Sequence, residues 1–255
     1  MKAVRVATGS AVRISACCVA VERNGFRALT DVSFDVGPGQ LVGVVGPNGA
    51  GKSTLFDAVA GVAPLVQGSI DLCGELAYVP QRDNINWRFP ATVHDVVMMG
   101  RYGGGGWFRR PGRADRNVVC ACLQRVGLWD RRSSPITQLS GGQRQRVFIA
   151  RALAQEASIL MLDEAFSGVD VGAQEGIVGV LQSLRDEGRT VMLATHDLTN
   201  IAERFDLILC INRHVCAFGP PAQAFTADVL EELYGSHGVD LGPNGGGSWR
   251  RNAHA

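Results

Sequence analysis

The stretch QLVGVVGPNGAGKSTLFDAVAGV, residues 40–62, decides the reading of this chain. QLVGVV is a short β-branched run that ends in Gly46 and Pro47, as a buried strand does. Leu55, Phe56, Val59, Ala60 and Val62 then recur at helical spacing. Between them GPNGAGKST (46–54) fits the phosphate-binding pattern Gly-x-x-x-x-Gly-Lys-Ser/Thr. The residue types suit that task. Glycines let backbone N–H groups converge on phosphate oxygens without a Cβ in the way, and the start of a helix near Lys52 adds its positive end. Lys52 can reach the β- and γ-phosphates, and the Ser53 hydroxyl can ligate Mg²⁺. The plain alternative, a glycine-rich turn with a chance lysine, gives no reason for a strand before it and a helix after it.

Working outward, ILMLDE (159–164) is an apolar run that ends in two carboxylates, Asp163 and Glu164. A strand buried on both faces of a parallel sheet reads this way. Asp163 can serve a Mg²⁺ shell and Glu164 can orient or polarise an attacking water. LSGGQRQR (139–146) places Ser140 where a helix would begin, followed by Gly141, Gly142 and Gln143. That makes a second anion-binding helix N-terminus in one chain. A single nucleotide has no use for two phosphate cradles unless the second completes a site on another subunit.

Other segments supply the frame. VRISACCVAV and LTDVSFDV alternate as antiparallel strands joined by ERNGFRA, with Cys17 and Cys18 expected on opposite strand faces. ELAYVPQ and TVMLAT (190–195) read as strands, and DLILCINRHVCAFG as a strand pair turning at Asn212–Arg213. TVHDVVMMG reads as a helix capped by Thr92 with Asp95 three residues on. Residues 113–129, 141–156 and 172–187 read as helices.

Composition sets limits. The chain has 255 residues, 46% hydrophobic and 19% charged, with a net charge of +1. That suits one sizeable core and gives no global electrostatic case for nucleic acid. Seven cysteines without a Cys-x-x-Cys pair read as reduced, packed thiols, and the five histidines show no zinc-ligand spacing. No apolar run approaches the ~20 residues that span a bilayer. Residues 236–255, ending GPNGGGSWRRNAHA, are expected to be disordered.

The phosphate loop, the Gln of VPQ, LSGGQRQR, ILMLDE, SGVD and the His of LATHD stand in the order seen in ATP-binding cassette (ABC) ATPase subunits, which this chain resembles over residues ~14–235. The resemblance implies an α/β fold: a P-loop NTPase (RecA-like) core with an antiparallel β subdomain and a helical subdomain inserted at about 84–150, one domain over 1–235. It implies ATP and Mg²⁺ as cofactors, and a head-to-tail dimer with a second copy around two Mg-ATP. Gly46, Pro47, Asn48, Gly49, Ala50, Gly51, Lys52, Ser53 and Thr54 would cradle the phosphates. Ser140, Gly141, Gly142 and Gln143 would close on the ATP of the partner. Ser53, Gln81 and Asp163 would attend Mg²⁺. Glu164 would be the general base, with Gln81 at the attacking water and His196 at the γ-phosphate, and Asp170 would link the two sites. Two positions depart from the family: Arg23, or Phe26 in its place, stands where an aromatic ring usually stacks on adenine, and Ala165 replaces a usual Pro.

PQRDNINWRFPATVHDVVMMGRYG resembles the corresponding segment of bacterial manganese, zinc and iron uptake ATPases. This implies import of a divalent transition metal through a polytopic membrane permease, with an extracytoplasmic metal-binding protein as an indirect partner. It places the chain in the cytoplasm, peripheral on the inner face of the cell membrane. Trp87, Phe89, Val93 and Met99 are candidates for gripping the permease. For the valines, packing inside their own subdomain is the favoured reading. The only metal expected on this chain is the Mg²⁺ of the nucleotide. A siderophore or other solute as cargo, and a soluble ABC switch outside transport, are the alternatives.

Overall fold

A computed structural model describes residues 4–7, 12–81, 90–102, 111–164, 171–196, 198, 200–235, 239–241 and 247–249. Its centre is a six-stranded sheet. The strands are β4 (Leu41–Val45), β6 (Leu76–Val79), β7 (Ile159–Asp163), β8 (Thr190–Thr195), β9 (Leu207–Ile211) and β10 (Val215–Gly219). Their spatial order is β10-β9-β4-β8-β7-β6, and every pair is parallel except the β9–β10 hairpin. The expected strands at 40–45, 158–162 and 190–195 are all here, on the inside of the sheet.

Both faces of this sheet are covered, which is why these strands are apolar throughout rather than alternating. Leu41, Val45, Leu160, Leu162, Val191 and Leu193 face one core cluster. Val42, Val44, Ile159, Met161, Met192 and Ala194 face the other. The second cluster is closed by α1 (Lys52–Val59), through Leu55, Phe56 and Val59, and by a four-stranded sheet. That sheet contains β1 (Val4–Ala7), β2 (Arg13–Arg23), β3 (Phe26–Val36) and β5 (Gln67–Cys73) in the order β1-β5-β2-β3. It is antiparallel as expected, except that β1 runs parallel to β5.

Cys17 and Cys18 correct the reading of β2. They do not alternate across a regular strand. The register slips between Ala16 and Val19, Cys18 takes φ +49°, and both thiols are exposed with their sulfurs 3.9 Å apart. Gly68 of β5 lies beneath this bulge, where an added Cβ would come within 2.4 Å of the Cys17 carbonyl oxygen. No side chain larger than hydrogen fits there.

The first cluster is closed by α2 (Val93–Met98), α3 (Arg113–Arg125), α4 (Gly141–Leu153), α5 (Val171–Asp186) and α8 (Ala227–Tyr234). Two short helices, α6 (Ile201–Arg204) and α7 (Pro221–Ala224), complete the chain order. The cap of α2 is the one the sequence announced: Thr92 Oγ1 accepts from the Asp95 amide at 3.2 Å, and the Thr92 amide donates to Asp95 Oδ2 at 3.0 Å. Arg101 staples the three helices that follow β6. It donates to the buried Asp115 of α3 at 3.1 Å and to the Ala154 carbonyl beyond α4 at 2.6 Å.

Within residues 236–255, expected to be disordered, β11 (Val239–Leu241) pairs antiparallel with β12 (Gly247–Trp249). Among the described residues no helix is long and apolar enough to cross a membrane.

Candidate functional site

The parallel order of the sheet gathers four segments that the sequence scatters over more than a hundred residues. β4, β8, β7 and β6 lie side by side and point the same way. The segments leaving their C-terminal ends are therefore neighbours. After β4 comes the loop 46–51, after β8 His196, after β7 Glu164, and after β6, two residues on, Gln81. Open α/β sheets bind ligands outside the carboxyl ends of their strands.

The loop is shaped by close backbone contacts. Gly46 has no room for a side chain: a Cβ would lie 2.1 Å from the Ile211 carbonyl oxygen of β9. Gly51 takes φ +97°, and a Cβ there would meet Leu29 Cδ2 at 2.6 Å. The loop is fastened from behind, since the Arg213 amide in the β9–β10 turn donates to the Ala50 carbonyl at 2.7 Å. The helix α1 begins at Lys52, so the free amides of its first turn open towards the loop. Lys52 folds over the loop and donates from Nζ to the carbonyls of Gly46 at 2.7 Å and Pro47 at 3.0 Å. Its burial pushes the ammonium pKa down, while Glu164 and Asp163 act the other way.

A cavity of about 340 Å³ sits over this loop, lined by Ala28, Asn48 to Thr54, Gln81 and Glu164. Gln81 Nε2 donates to Glu164 Oε2 at 2.7 Å. Glu164 takes φ +51°, and its amide donates to the Ala194 carbonyl of β8 at 3.1 Å, which fixes the carboxylate at the cavity wall. Asp163 lies behind it with 2% of its surface exposed. Burial pushes the Asp163 carboxyl up to about 6; a hydrogen bond from Ser53 works against this, and the neighbouring Glu164 charge adds to it. Asp163 Oδ1 is buried without a hydrogen-bond partner among the described residues. An orphaned carboxylate oxygen, a serine hydroxyl hydrogen-bonded to that carboxylate, and a second carboxylate alongside form a hard-oxygen set that fits a small divalent cation.

Other expected site residues stand elsewhere. Arg23 does not line the cavity. Its guanidinium pairs with Asp57 of α1, which also accepts from the Tyr78 hydroxyl at 3.0 Å. Phe26 is 79% exposed. Ser140 is the N-cap of α4 and is locked in a reciprocal pair with Gln143: its amide donates to Oε1 at 3.0 Å, and its hydroxyl accepts from the Gln143 amide at 3.3 Å. Ser140 and Gly141 are exposed, and neither lines the cavity. His196 is exposed at the end of β8. Asp170, Ala165, Trp87 and Phe89 lie outside the described residues. Val93 is wholly buried, so it packs within its subdomain and is withdrawn as a surface contact, whereas Met99 is 40% exposed. Sequence reasoning missed Asp57 and Arg213. Asp57 stands on the side of α1 away from Leu55, Phe56 and Val59, where an acidic residue is unremarkable, so the sequence carried no signal for it. Arg213 reaches the loop only through the folded β9–β10 turn.

Fold and loop together define a P-loop nucleotide-binding protein of the α/β class. The particular family follows from comparison. The profile described as "ABC transporter" matches residues 29–167, and the chain belongs to the ABC transporter family. It is 44% identical over 216 residues to the manganese transport system ATP-binding protein MntB of Halalkalibacterium halodurans, covering 82% of this chain and 86% of that protein. It is 40% identical over 237 residues to the zinc transport system ATP-binding protein TroB of Treponema pallidum, covering 90% of this chain and 88% of that one. Among solved structures, the inward-facing conformation of an ABC transporter assigned to the metal-chelate type superposes with a TM-score of 0.81 at 29% identity, covering 88% of this chain and 89% of that chain. The chain is thus an ABC-type ATPase.

The Asp163 environment has a measurable consequence. The folded state holds this proton up to about pH 6, whereas the ordinary carboxyl releases it near 3.8. Between those values the folded protein binds more protons than the unfolded chain, so this group lowers stability as pH rises through that window. Without nucleotide or divalent cation, Asp163→Asn should gain on the wild type by on the order of 2–3 kcal/mol between about pH 4 and about pH 7. Urea unfolding of both proteins at each pH gives the difference directly, and a difference that does not change with pH would contradict it.

Proposed function

We propose that this chain is the ATP-hydrolysing subunit of an importer for a divalent transition metal, manganese before zinc or iron, working as a head-to-tail dimer beneath a separate membrane permease. The observation that carries the hydrolytic part is the meeting of the phosphate loop, Gln81 and Glu164 in one cavity, with Gln81 and Glu164 2.7 Å apart.

The chemistry follows from the residues. The amides of Gly49 to Ser53 and the Lys52 ammonium bind the β- and γ-phosphates of ATP, and Lys52 exchanges its loop carbonyls for phosphate oxygens. Ser53 and Asp163, with Gln81, would hold Mg²⁺, which supplies positive charge against the developing charge on the phosphates. Glu164 accepts the proton of the attacking water, and Gln81 orders that water beside it. His196, at the neighbouring strand end, contacts the γ-phosphate.

One subunit lacks half of this site. The α4 N-terminus is capped, with Ser140 and Gly141 exposed and outside the cavity of its own loop, so the Gly141 and Gly142 amides would be presented to the γ-phosphate held by a second copy. Asp170 links the two composite sites. Closure then moves the helical subdomain, where Met99 and Tyr102 are exposed at 40% and 56%. This face meets the permease, and Met and aromatic side chains suit such a contact. The cargo is assigned from the manganese and zinc names of the relatives. The place of work is the inner face of the cell membrane.

Glu164→Gln should still bind ATP and accumulate as an ATP-bound dimer, with turnover lowered about 10²–10⁴-fold. Phosphate release and sedimentation measure the two effects, and hydrolysis at the wild-type rate would remove Glu164 as the base. For the cargo, cells lacking this chain should lose manganese accumulation under manganese limitation. Elemental analysis that shows no change in manganese, zinc or iron would remove the metal assignment and leave the ATPase untouched.

A further inference from the structure

A second polar cluster lies behind the phosphate loop, outside the nucleotide cavity. His214 stands at the β9–β10 turn, Cys216 two residues on in β10, and Glu232 on α8. One ligand atom from each lies within 4.8 Å of the others. His214 Nε2 is 2.8 Å from Glu232 Oε1, and Cys216 Sγ is 3.8 Å from His214 Nε2. Tetrahedral zinc bonds place a nitrogen and an oxygen about 3.3 Å apart, and a nitrogen and a sulfur about 3.6 Å apart. These two distances therefore need to change by only about half an ångström or less, and the Cys216–Glu232 pair already lies within 4.8 Å. His214 and Glu232 are each about half exposed, which leaves the fourth position open to water.

We propose that His214, Cys216 and Glu232 bind a thiophilic divalent cation of the zinc class. The donor chemistry carries the choice. A thiol, an imidazole and a carboxylate form a mixed sulfur, nitrogen and oxygen set, which selects zinc-like ions over magnesium, calcium or manganese. Two of the three ligands come from the hairpin and one from a helix sixteen residues on, so one ion cross-links β10 to α8. Burial and Glu232 push the free Cys216 thiol up to about 11, so the ion displaces a proton and binds more tightly as pH rises. The residue before His214 is Arg213, whose amide holds the Ala50 carbonyl of the phosphate loop. The cross-link thus sits one residue from the fastening of the nucleotide site. The histidines show no zinc-ligand spacing along the chain because the third ligand arrives through the fold. The site does not depend on the transport reading.

The test is a Co²⁺ titration of the reduced, nucleotide-free full chain with Cys17→Ser and Cys18→Ser, which removes the exposed neighbouring thiols. The site predicts a near-ultraviolet thiolate-to-cobalt absorption band together with visible bands of tetrahedral intensity, all bleached by Zn²⁺. Cys216→Ser should abolish the near-ultraviolet band. His214→Ala and Glu232→Gln should each weaken Co²⁺ roughly tenfold or more, with unfolding midpoints showing that all variants are folded. Absence of the near-ultraviolet band, its survival in Cys216→Ser, or unchanged affinity in both other variants would overturn the proposal.

Discussion

Lys52, Asp163 and Glu164 crowd one ammonium and two carboxylates against the ends of β4 and β7, with Lys52 and Asp163 both buried. Taking charges out of water costs several kcal/mol per ion unless good partners replace it. The nucleotide-free site relieves this incompletely. Lys52 turns to two loop carbonyls, burial pushes the Asp163 carboxyl up to about 6, and one Asp163 oxygen has no partner among the described residues. Such a cluster is destabilising for the fold by itself. It makes physical sense as a receptacle for a charged ligand that supplies what is missing, namely phosphate oxygens for the lysine and a cation for the carboxylates.

Much of the architecture can be understood as support for this cluster. A parallel sheet covered on both faces is the arrangement that can hold four strand ends rigidly side by side. The strands contribute little chemistry themselves; they set the spacing. Gly46 lets the loop press on β9, and the β9–β10 turn holds the loop from behind through Ala50. The amide of Glu164 is tied to β8, so the carboxylate and the loop keep one geometry. The second cradle, at the α4 N-terminus, is equally rigid but faces outward. That division, half a site inward and half outward, is why a second copy is invoked in the functional proposal.

The core of this reading was legible in the chain itself. The loop 46–54, the strand ending in Asp163 and Glu164, and the capped helices at Thr92 and Ser140 are local patterns in which each residue's neighbours dictate its conformation. β5 was not legible, because QGSIDLC is short and half polar and gains its place only by pairing with β1 and β2. The bulge at Cys17 and Cys18 was hidden for a similar reason: it is a mismatch of register between strands, and a single strand has no register. Arg23 gained a contact that its sequence position does not show. Its position suggested a base-stacking role, yet the folded chain gives it Asp57, a partner thirty-four residues away. The His214, Cys216 and Glu232 cluster likewise exists only once α8 packs on the hairpin.

The central claim is that Asp163 and the loop form one receptacle for a nucleotide together with its cation. Equilibrium binding of ATP, measured with and without Mg²⁺ in the wild type and in Asp163→Asn, tests it most directly. Mg²⁺ should tighten ATP binding strongly in the wild type and barely in the variant. An equal effect of Mg²⁺ on both proteins would contradict it.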